Sequence, residues 1–237
     1  MRPPAQVWLT PMIDSFVDRT GEAKLVADTV DDITTEYGHD YWRECAAANR
    51  FPDELWDVLA ERGFLGLLVP EEYGGEGLGL RELDALIEGF TRNGVRLLYL
   101  IIHVTMAPVP IERHGSDALK ERFLPEIASG DGKFCFAITE ADAGTNAFKI
   151  RTRAERDGDE YVVDGEKTYI TGAADADYIQ IVTRTTPYEA VADEDRREGG
   201  TLLVVPTDAD GVSMEPLDLA ITETVDQYTV QDRKSVV

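Results

Sequence analysis

The sequence predicts an α+β protein, in which an all-helical N-terminal domain, residues 1–130, precedes a small β-barrel or sandwich, residues 131–237. In the first part apolar residues recur at helical spacing, most clearly between Leu83 and Phe90. After residue 132 the period changes, and short runs rich in β-branched and aromatic residues alternate with turn signals. Several short strands at this spacing are typical of a small barrel or sandwich.

The chain is strongly acidic. Its 237 residues include 46 Asp or Glu against 23 Lys or Arg, which gives a formal net charge of −23. Such a surface repels phosphate groups, so neither a nucleic-acid partner nor a membrane is expected. Because 43% of the residues are apolar, the charge does not indicate disorder. We expect a folded protein from a high-salt (halophilic) cytoplasm, where ions screen the repulsion.

Cysteines and histidines are few. Cys45 and Cys135 lie far apart, which excludes a disulfide framework and a cysteine zinc site. None of the three histidines stands at metal-ligand spacing, so no metal is expected. No apolar run approaches the ~20 residues that span a bilayer, and the N-terminus opens no signal-peptide core. The expected location is the cytoplasm.

Helices of the first part are predicted from apolar periodicity. The segment from Trp8 to about Ala48 is loosely amphipathic, and the following helix starts at residues 51–53 and ends near Gly63. The run from Leu97 to Met106 predicts a buried helix, in which His103 is a core residue. The candidate inward residues of the first segment are Phe16, Leu25, Val26, Val30 and Ile33.

A further helix is predicted from Ser116 to Ala128, with Leu119, Phe123 and Ile127 on its inner face. Pro125 should bend or split it, because proline removes a backbone donor and clashes with the preceding turn.

The glycine-rich segment 71–79 is a candidate nucleotide site. In the dinucleotide pattern G-x-G-x-x-G, the third glycine would fall on Leu80 or Glu82, so the pattern fails. No Gly-Lys-Ser/Thr follows either. A tight turn between helices is the simpler interpretation.

Strands of the second part are predicted at residues 133–139, 150–156, 178–184 and 201–206. Residues 160–167 read as a hairpin with Asp164-Gly165 as its turn, and residues 186–200 as an exposed loop.

Two stretches carry groups that could hold a flat ligand. Residues 139–146 place hydroxyls and an amide at the end of a buried strand. Residues 167–172 add an aromatic ring, Tyr169, and a hydroxyl, Thr171, which in a regular strand point to the same face. A turn and a Tyr/Thr cross-strand pair without a ligand is the alternative. The residues alone offer no nucleophile, base or metal, so any chemistry would come from a cofactor.

Four segments in this order resemble the acyl-CoA dehydrogenase family of flavoproteins. The resemblance covers roughly residues 10 to 231 and rests on residues 51–80, 121–154, 159–185 and 201–216. It implies an N-terminal helical domain, a middle β-barrel, a C-terminal four-helix bundle, and FAD between the β domain and the bundle.

The resemblance also implies site residues. The Phe136–Glu140 stretch, with Ile138 and the Thr139 side chain, matches the family segment that contacts the flavin ring. Thr145 matches a serine that approaches the cofactor pyrophosphate and the CoA substrate. Tyr169 stands where a tryptophan usually packs on the flavin, and Thr171 matches a threonine near the reactive N5.

The sequence departs from the family in two ways. Asn146 and Gly172 replace the usual Asp and Asn, which indicates a divergent branch. More importantly, the family chain is longer, and the bundle that carries its catalytic glutamate is missing after Gln231, so the catalytic base is unknown here. The chain is therefore expected to be a truncated product or to need a partner, with the Leu97–Met106 helix and the Phe136 strand end partly uncovered.

Three functions follow from the resemblance. The first is FAD-dependent α,β-dehydrogenation of an acyl-CoA thioester in fatty acid metabolism, with an electron-transfer flavoprotein as acceptor and a homo-oligomeric enzyme. The second is a non-catalytic fragment or an acyl-CoA- or FAD-binding partner subunit. The third is a flavin oxidase or monooxygenase with the same fold.

Overall fold

The computed structural model describes residues 21–192, 195, 198–219 and 224–237. Helices occupy its first part. Their bounds are α1 Glu22–Tyr37, α2 His39–Ala48, α3 Asp53–Glu61, α4 Leu80–Arg92, α5 Leu98–Ile101, α6 Pro108–His114 and α7 Asp117–Ser129. A π-helical turn, Ile102–Met106, joins α5 to α6. The predicted helical first part is confirmed.

The inner faces of the helices differ from the prediction at two leucines. Val26, Val30 and Ile33 of α1 are buried as expected, but Leu25 is 66% exposed. Leu119 of α7 is also exposed; it lies in the first turn, and the buried residues of this helix begin at Phe123. Phe16 lies outside the described residues.

Pro125 does not split α7, which runs through it from Asp117 to Ser129. The Ser116 hydroxyl caps this helix by accepting from the Leu119 N–H, and Gly130 ends it in a left-handed conformation.

The glycine-rich segment is a tight turn that leads into α4. A Cβ atom on Gly75 would lie 2.2 Å from the carbonyl oxygen of Val69, so only glycine fits this approach. The Gly77 N–H donates to the same carbonyl at 2.8 Å. These contacts are structural, which agrees with the simpler interpretation of the segment.

Among the described residues of the second part, seven strands form one sheet. Their bounds are β1 Phe134–Ala137, β2 Arg153–Asp157, β3 Glu160–Thr171, β4 Tyr178–Arg184, β5 Gly200–Pro206, β6 Val212–Leu217 and β7 Gln227–Val236. The pairing order is β1-β4-β2-β3-β7-β6, and β5 pairs with β4.

The sheet is curled into a half-barrel. In a flat sheet β5 and β6 would be five strand spacings apart, about 24 Å. Residues 207–211 join them directly, and so short a segment reaches only about 20 Å. The ends of the sheet must therefore approach each other, which confirms the predicted α+β class with a small, barrel-like second part.

The predicted hairpin turn at Asp164-Gly165 is wrong. Both residues lie inside the continuous strand β3, and the turn that joins β2 to β3 lies at residues 158–159. Gly165 is needed for a close approach instead, since its Cβ would lie 2.4 Å from the Thr152 hydroxyl. The same sequence signal thus serves packing and not chain reversal.

The larger of two hydrophobic clusters joins the helices to the sheet. Tyr99, Leu100 and Val104 belong to the same buried cluster as Cys135 and Ile179. The division at residue 130 stays a prediction, since the two parts share this core. The core nevertheless positions the first sheet strands directly against the α5 region.

The predicted buried helix at 97–106 is only partly covered. Tyr99 and Leu100 are buried, whereas Leu98 is 52% and Met106 is 42% exposed. Phe136 is half-buried at the neighbouring strand. The expected incomplete cover of these apolar residues is therefore observed.

Candidate functional site

The end of β1 turns sharply at the first candidate stretch. Phe136 lies in β1, and Ile138 and Thr139 follow it, all half-buried. Glu140 then forms a tight turn, because its N–H donates to the Ala143 carbonyl at 3.2 Å and its carbonyl accepts from the Ala143 N–H at 3.1 Å. This turn directly follows the Ile138–Thr139 backbone at the end of β1.

A buried ion pair supports this backbone from behind. Lys167 Nζ lies 2.9 Å from Glu140 Oε1 and donates to the Ile138 carbonyl at 3.1 Å. The Lys167 side chain is fully buried, and that of Glu140 is 10% exposed. Glu140 also accepts from the Arg151 N–H at 2.6 Å, and from the Thr152 N–H at 2.9 Å and hydroxyl at 2.7 Å. One carboxylate, just after β1, is thus joined to β3 and to the two residues that precede β2.

Burial and pairing act in opposite directions on these two groups. Burial acts to raise the pKa of Glu140, but the hydrogen bonds from Lys167 and Thr152 outweigh it and hold the pKa below its ordinary value. Burial lowers the pKa of Lys167, and the contact with Glu140 opposes this. The carboxylate therefore stays ionised and serves as the fixed acceptor of the network.

The end of β3 faces the β1 turn. The Thr168 N–H donates to the Thr139 carbonyl at 2.9 Å, which joins the two candidate stretches directly. Tyr169 follows with φ of 60°, in the left-handed region that a tyrosine rarely adopts. Its side chain is 57% exposed. An exposed ring on a strained backbone is typical of a functional position.

Tyr169 and Thr171 do not share a face, contrary to the prediction. Thr171 is only 6% exposed, because the left-handed residue and a register shift between Lys167 and Ile170 interrupt the strand alternation. The Thr171 hydroxyl accepts from Gln227 Nε2 at 2.6 Å. The ring is therefore exposed, while the hydroxyl is held inside the ladder.

Thr145 stands apart from this group. It lies in the exposed segment 144–146, and within the described ranges no hydrogen bond joins it to Thr139, Tyr169 or Thr171. Of the predicted residues, the structure brings together those at the ends of β1 and β3.

Sequence reasoning did not predict two supporting contacts, Glu140–Lys167 and Thr171–Gln227. Lys167 and Glu140 are 27 residues apart, and Gln227 and Thr171 are 56 apart. Their signal was weak, because the two partners of each contact lie in different segments of the chain.

His103 is a core residue, as predicted. Its Nε2 lies 3.1 Å from the Ile127 carbonyl, and its ring packs edge-on against Trp56. Burial lowers the pKa of His103 to about 4. In the described part of the chain, no group of three or more His, Cys, Asp or Glu could hold a metal ion. Every helix there is too short or too polar to cross a membrane.

A helical layer packs on a curled, mostly antiparallel sheet. An exposed aromatic ring lies there beside polar strand ends. The family matches identify the class of protein that has this fold. The chain matches the family described as "Acyl-CoA dehydrogenase, N-terminal domain" over residues 20–131. It matches "Acyl-CoA dehydrogenase, middle domain" over residues 135–231. The chain belongs to the acyl-CoA dehydrogenase family, which confirms the resemblance.

Similar proteins agree with this assignment. The chain is 36% identical over 222 residues to the acyl-CoA dehydrogenase FadE12 of Mycobacterium tuberculosis, a match of 92% of this chain and 55% of FadE12. The chain therefore spans about half the length of this relative.

Solved structures have the same fold. An acyl-CoA dehydrogenase from Geobacillus kaustophilus superimposes with a TM-score of 0.84 at 25% identity, over 93% of this chain and 57% of that one. An acyl-CoA dehydrogenase from Bacillus anthracis, complexed with FAD, gives 0.81 at 26% identity, over 93% and 37%.

Proposed function

We propose that this chain provides one wall of the FAD and acyl-CoA site of an acyl-CoA dehydrogenase. The observation that carries the proposal is Tyr169, an exposed ring on a left-handed backbone beside Thr139. A flat heterocycle that packed on this ring would cover it and offset the strain.

The neighbouring groups fit a flavin. Thr139 is joined to the end of β3 beside Tyr169, Thr171 follows Tyr169 by two residues, and the Glu140–Lys167 pair fixes the Ile138–Thr139 backbone. FAD would supply the hydride acceptor for dehydrogenation of the thioester. The protein groups orient the ring, exclude water from one face and donate hydrogen bonds to it.

Thr145 has a different part in the proposal. It lies on an exposed loop, where a hydroxyl can reach the polar part of a long ligand. We assign it to the cofactor pyrophosphate and the CoA moiety, and Phe136 and Ile138 to the flavin edge. The catalytic base remains unassigned among the described residues.

For the partners of the whole protein, we propose those that the family resemblance implies. We include an electron-transfer flavoprotein as acceptor, a homo-oligomer and a cytoplasmic location in the proposal. The charge of −23 supports a high-salt adaptation, which predicts that unfolding temperature rises with KCl concentration.

The test is the visible spectrum of the chain after incubation with FAD in high salt and gel filtration. We expect flavin absorbance to elute with the protein and to be lost in Tyr169→Ala. Tyr188→Ala, a tyrosine in the loop between β4 and β5, is the matched control and should keep the flavin. Free elution of all flavin from the unmodified chain would refute cofactor binding by this chain.

A further inference from the structure

Gln227 is the first residue of β7 and lies directly opposite Thr171 of β3. Its Nε2 donates to the Thr171 hydroxyl oxygen at 2.6 Å. This contact joins the last residue of β3 to the first residue of β7, at the edge of the proposed ligand site.

A hydroxyl can donate one hydrogen bond and accept others. Because Gln227 donates, the Thr171 oxygen is the acceptor in this contact, and its own proton must point elsewhere. Within the described ranges no acceptor receives that proton. The Thr171 hydroxyl can therefore donate one hydrogen bond to a further group.

Further contacts hold the strand end around this pair. The Gly172 N–H donates to the Asp226 carbonyl at 2.8 Å, so two successive contacts bind β3 to the start of β7. Gly172 has φ of 66°, and a Cβ there would lie 2.5 Å from the Tyr99 ring. The Thr171 hydroxyl therefore has a fixed place, and only the direction of its proton is left to be set.

We propose that Gln227 is a positioning residue that sets this direction. It occupies the acceptor side of the Thr171 oxygen, so that the proton is presented to an acceptor atom of the bound ligand. The identity of that ligand as FAD rests on the proposed function, but the polarity of the Thr171–Gln227 contact does not.

The test is FAD affinity, measured by flavin fluorescence in the unmodified chain and in variants. Thr171→Val removes the donor and should weaken FAD binding roughly 3- to 10-fold, the factor for one ordinary hydrogen bond. Gln227→Glu should weaken it by a similar factor, because a carboxylate only accepts and takes the Thr171 proton for itself. Thr171→Ser should bind as the unmodified chain does.

A double-variant cycle separates positioning from general damage. In the Thr171→Val background, Gln227→Glu should cause no further loss of affinity. Gln231 also lies in β7, where its Nε2 donates to Glu166 Oε2 at 2.9 Å, so Gln231→Leu is the matched control and should leave affinity unchanged. Circular dichroism verifies that each variant is folded.

A ligand-free measurement tests the contact itself. The side-chain amide protons of Gln227, whose contact with Thr171 is partly buried, should exchange with water more slowly than those of Gln231, whose contact with Glu166 is exposed. Thr171→Val should abolish the difference. The proposal would be overturned if the Gln227 amide protons exchanged at the same rate in Thr171→Val as in the unmodified chain. It would also be overturned if Gln227→Glu bound FAD with the same affinity as the unmodified chain. Failure of the unmodified chain to bind any FAD, with the exchange result intact, would overturn FAD as the ligand and leave the contact polarity standing.

Discussion

Replacing Lys167 by methionine would remove the cation from the ion pair behind the proposed site. Glu140 would keep three donors, one from Arg151 and two from Thr152, so its charge would remain partly compensated. The upper limit of the cost is that of protonating the carboxylate at pH 7, about 4 kcal/mol for an ordinary pKa of ~4.3. We expect Lys167→Met to lower the free energy of unfolding by about 2–3 kcal/mol.

The opposite substitution should cost more. In Glu140→Leu the Lys167 ammonium would keep only the Ile138 carbonyl, at 3.1 Å, inside a fully buried environment. The upper limit of the cost of this substitution is the free energy of deprotonating lysine at pH 7, about 5 kcal/mol. We expect about 4 kcal/mol from Glu140→Leu, measured by chemical denaturation in constant salt.

The pH dependence of the two losses should have opposite signs. The pKa of Glu140 is below its ordinary value, so its contribution is present above pH ~4.3 and is lost as the pH falls further. The loss in Lys167→Met should therefore shrink in acid. The loss in Glu140→Leu should shrink as the pH rises towards ~10, where the lysine is buried neutral.

Lys24 and Asp28 form the matched control, an exposed pair at 2.6 Å with both side chains about 60% exposed. Lys24→Met should cost at most about 0.5 kcal/mol. If Lys167→Met cost no more than Lys24→Met, the reasoning from burial would be refuted.

Two further predictions concern the core histidine and the strained tyrosine. Because burial lowers the pKa of His103 to about 4, unfolding should become easier as the pH falls from ~6.5 to 4, by about 3 kcal/mol in total. His103→Gln keeps a donor for the Ile127 carbonyl and should lose this part of the pH dependence. If the free energies of unfolding of the two proteins differed by a constant amount from pH 7 to 4.5, this prediction would be contradicted. Tyr169→Gly should raise the unfolding free energy by about 1 kcal/mol, because glycine adopts positive φ without strain and the ring is mostly exposed. The same variant should weaken FAD binding. A thermal melt checks its stability, and a flavin titration checks its binding. If Tyr169→Gly were less stable than the unmodified chain, Tyr169 would not be strained.

Local pattern was enough for most elements. The strand predicted at residues 178–184 has the same bounds in the structure, because most of its residues favour strands and five of the seven are buried, on both faces of the sheet. The helix after Phe51 begins at Asp53 and ends before Gly63, whose φ of 74° suits glycine alone. In these cases the residues that determine an element lie inside it.

Local pattern failed where a distant segment set the requirement. Gly165 resembles a turn glycine, yet it is glycine because Thr152 approaches it from the neighbouring strand. Leu25 has the spacing of an inward residue, but its position on α1 faces solvent. Tyr169 and Thr171 have the spacing of one strand face, but a register shift between β3 and β7 separates them.

The sequence by itself determined the family, the order of helices and strands, and the two stretches that meet at the proposed site. Those properties depend on residue types and their spacing along the chain. The tertiary structure decided which polar groups support that site, because the Glu140–Lys167 and Thr171–Gln227 contacts exist only in one strand register. A shift of one residue would turn each side chain to the other face of the sheet and break both contacts.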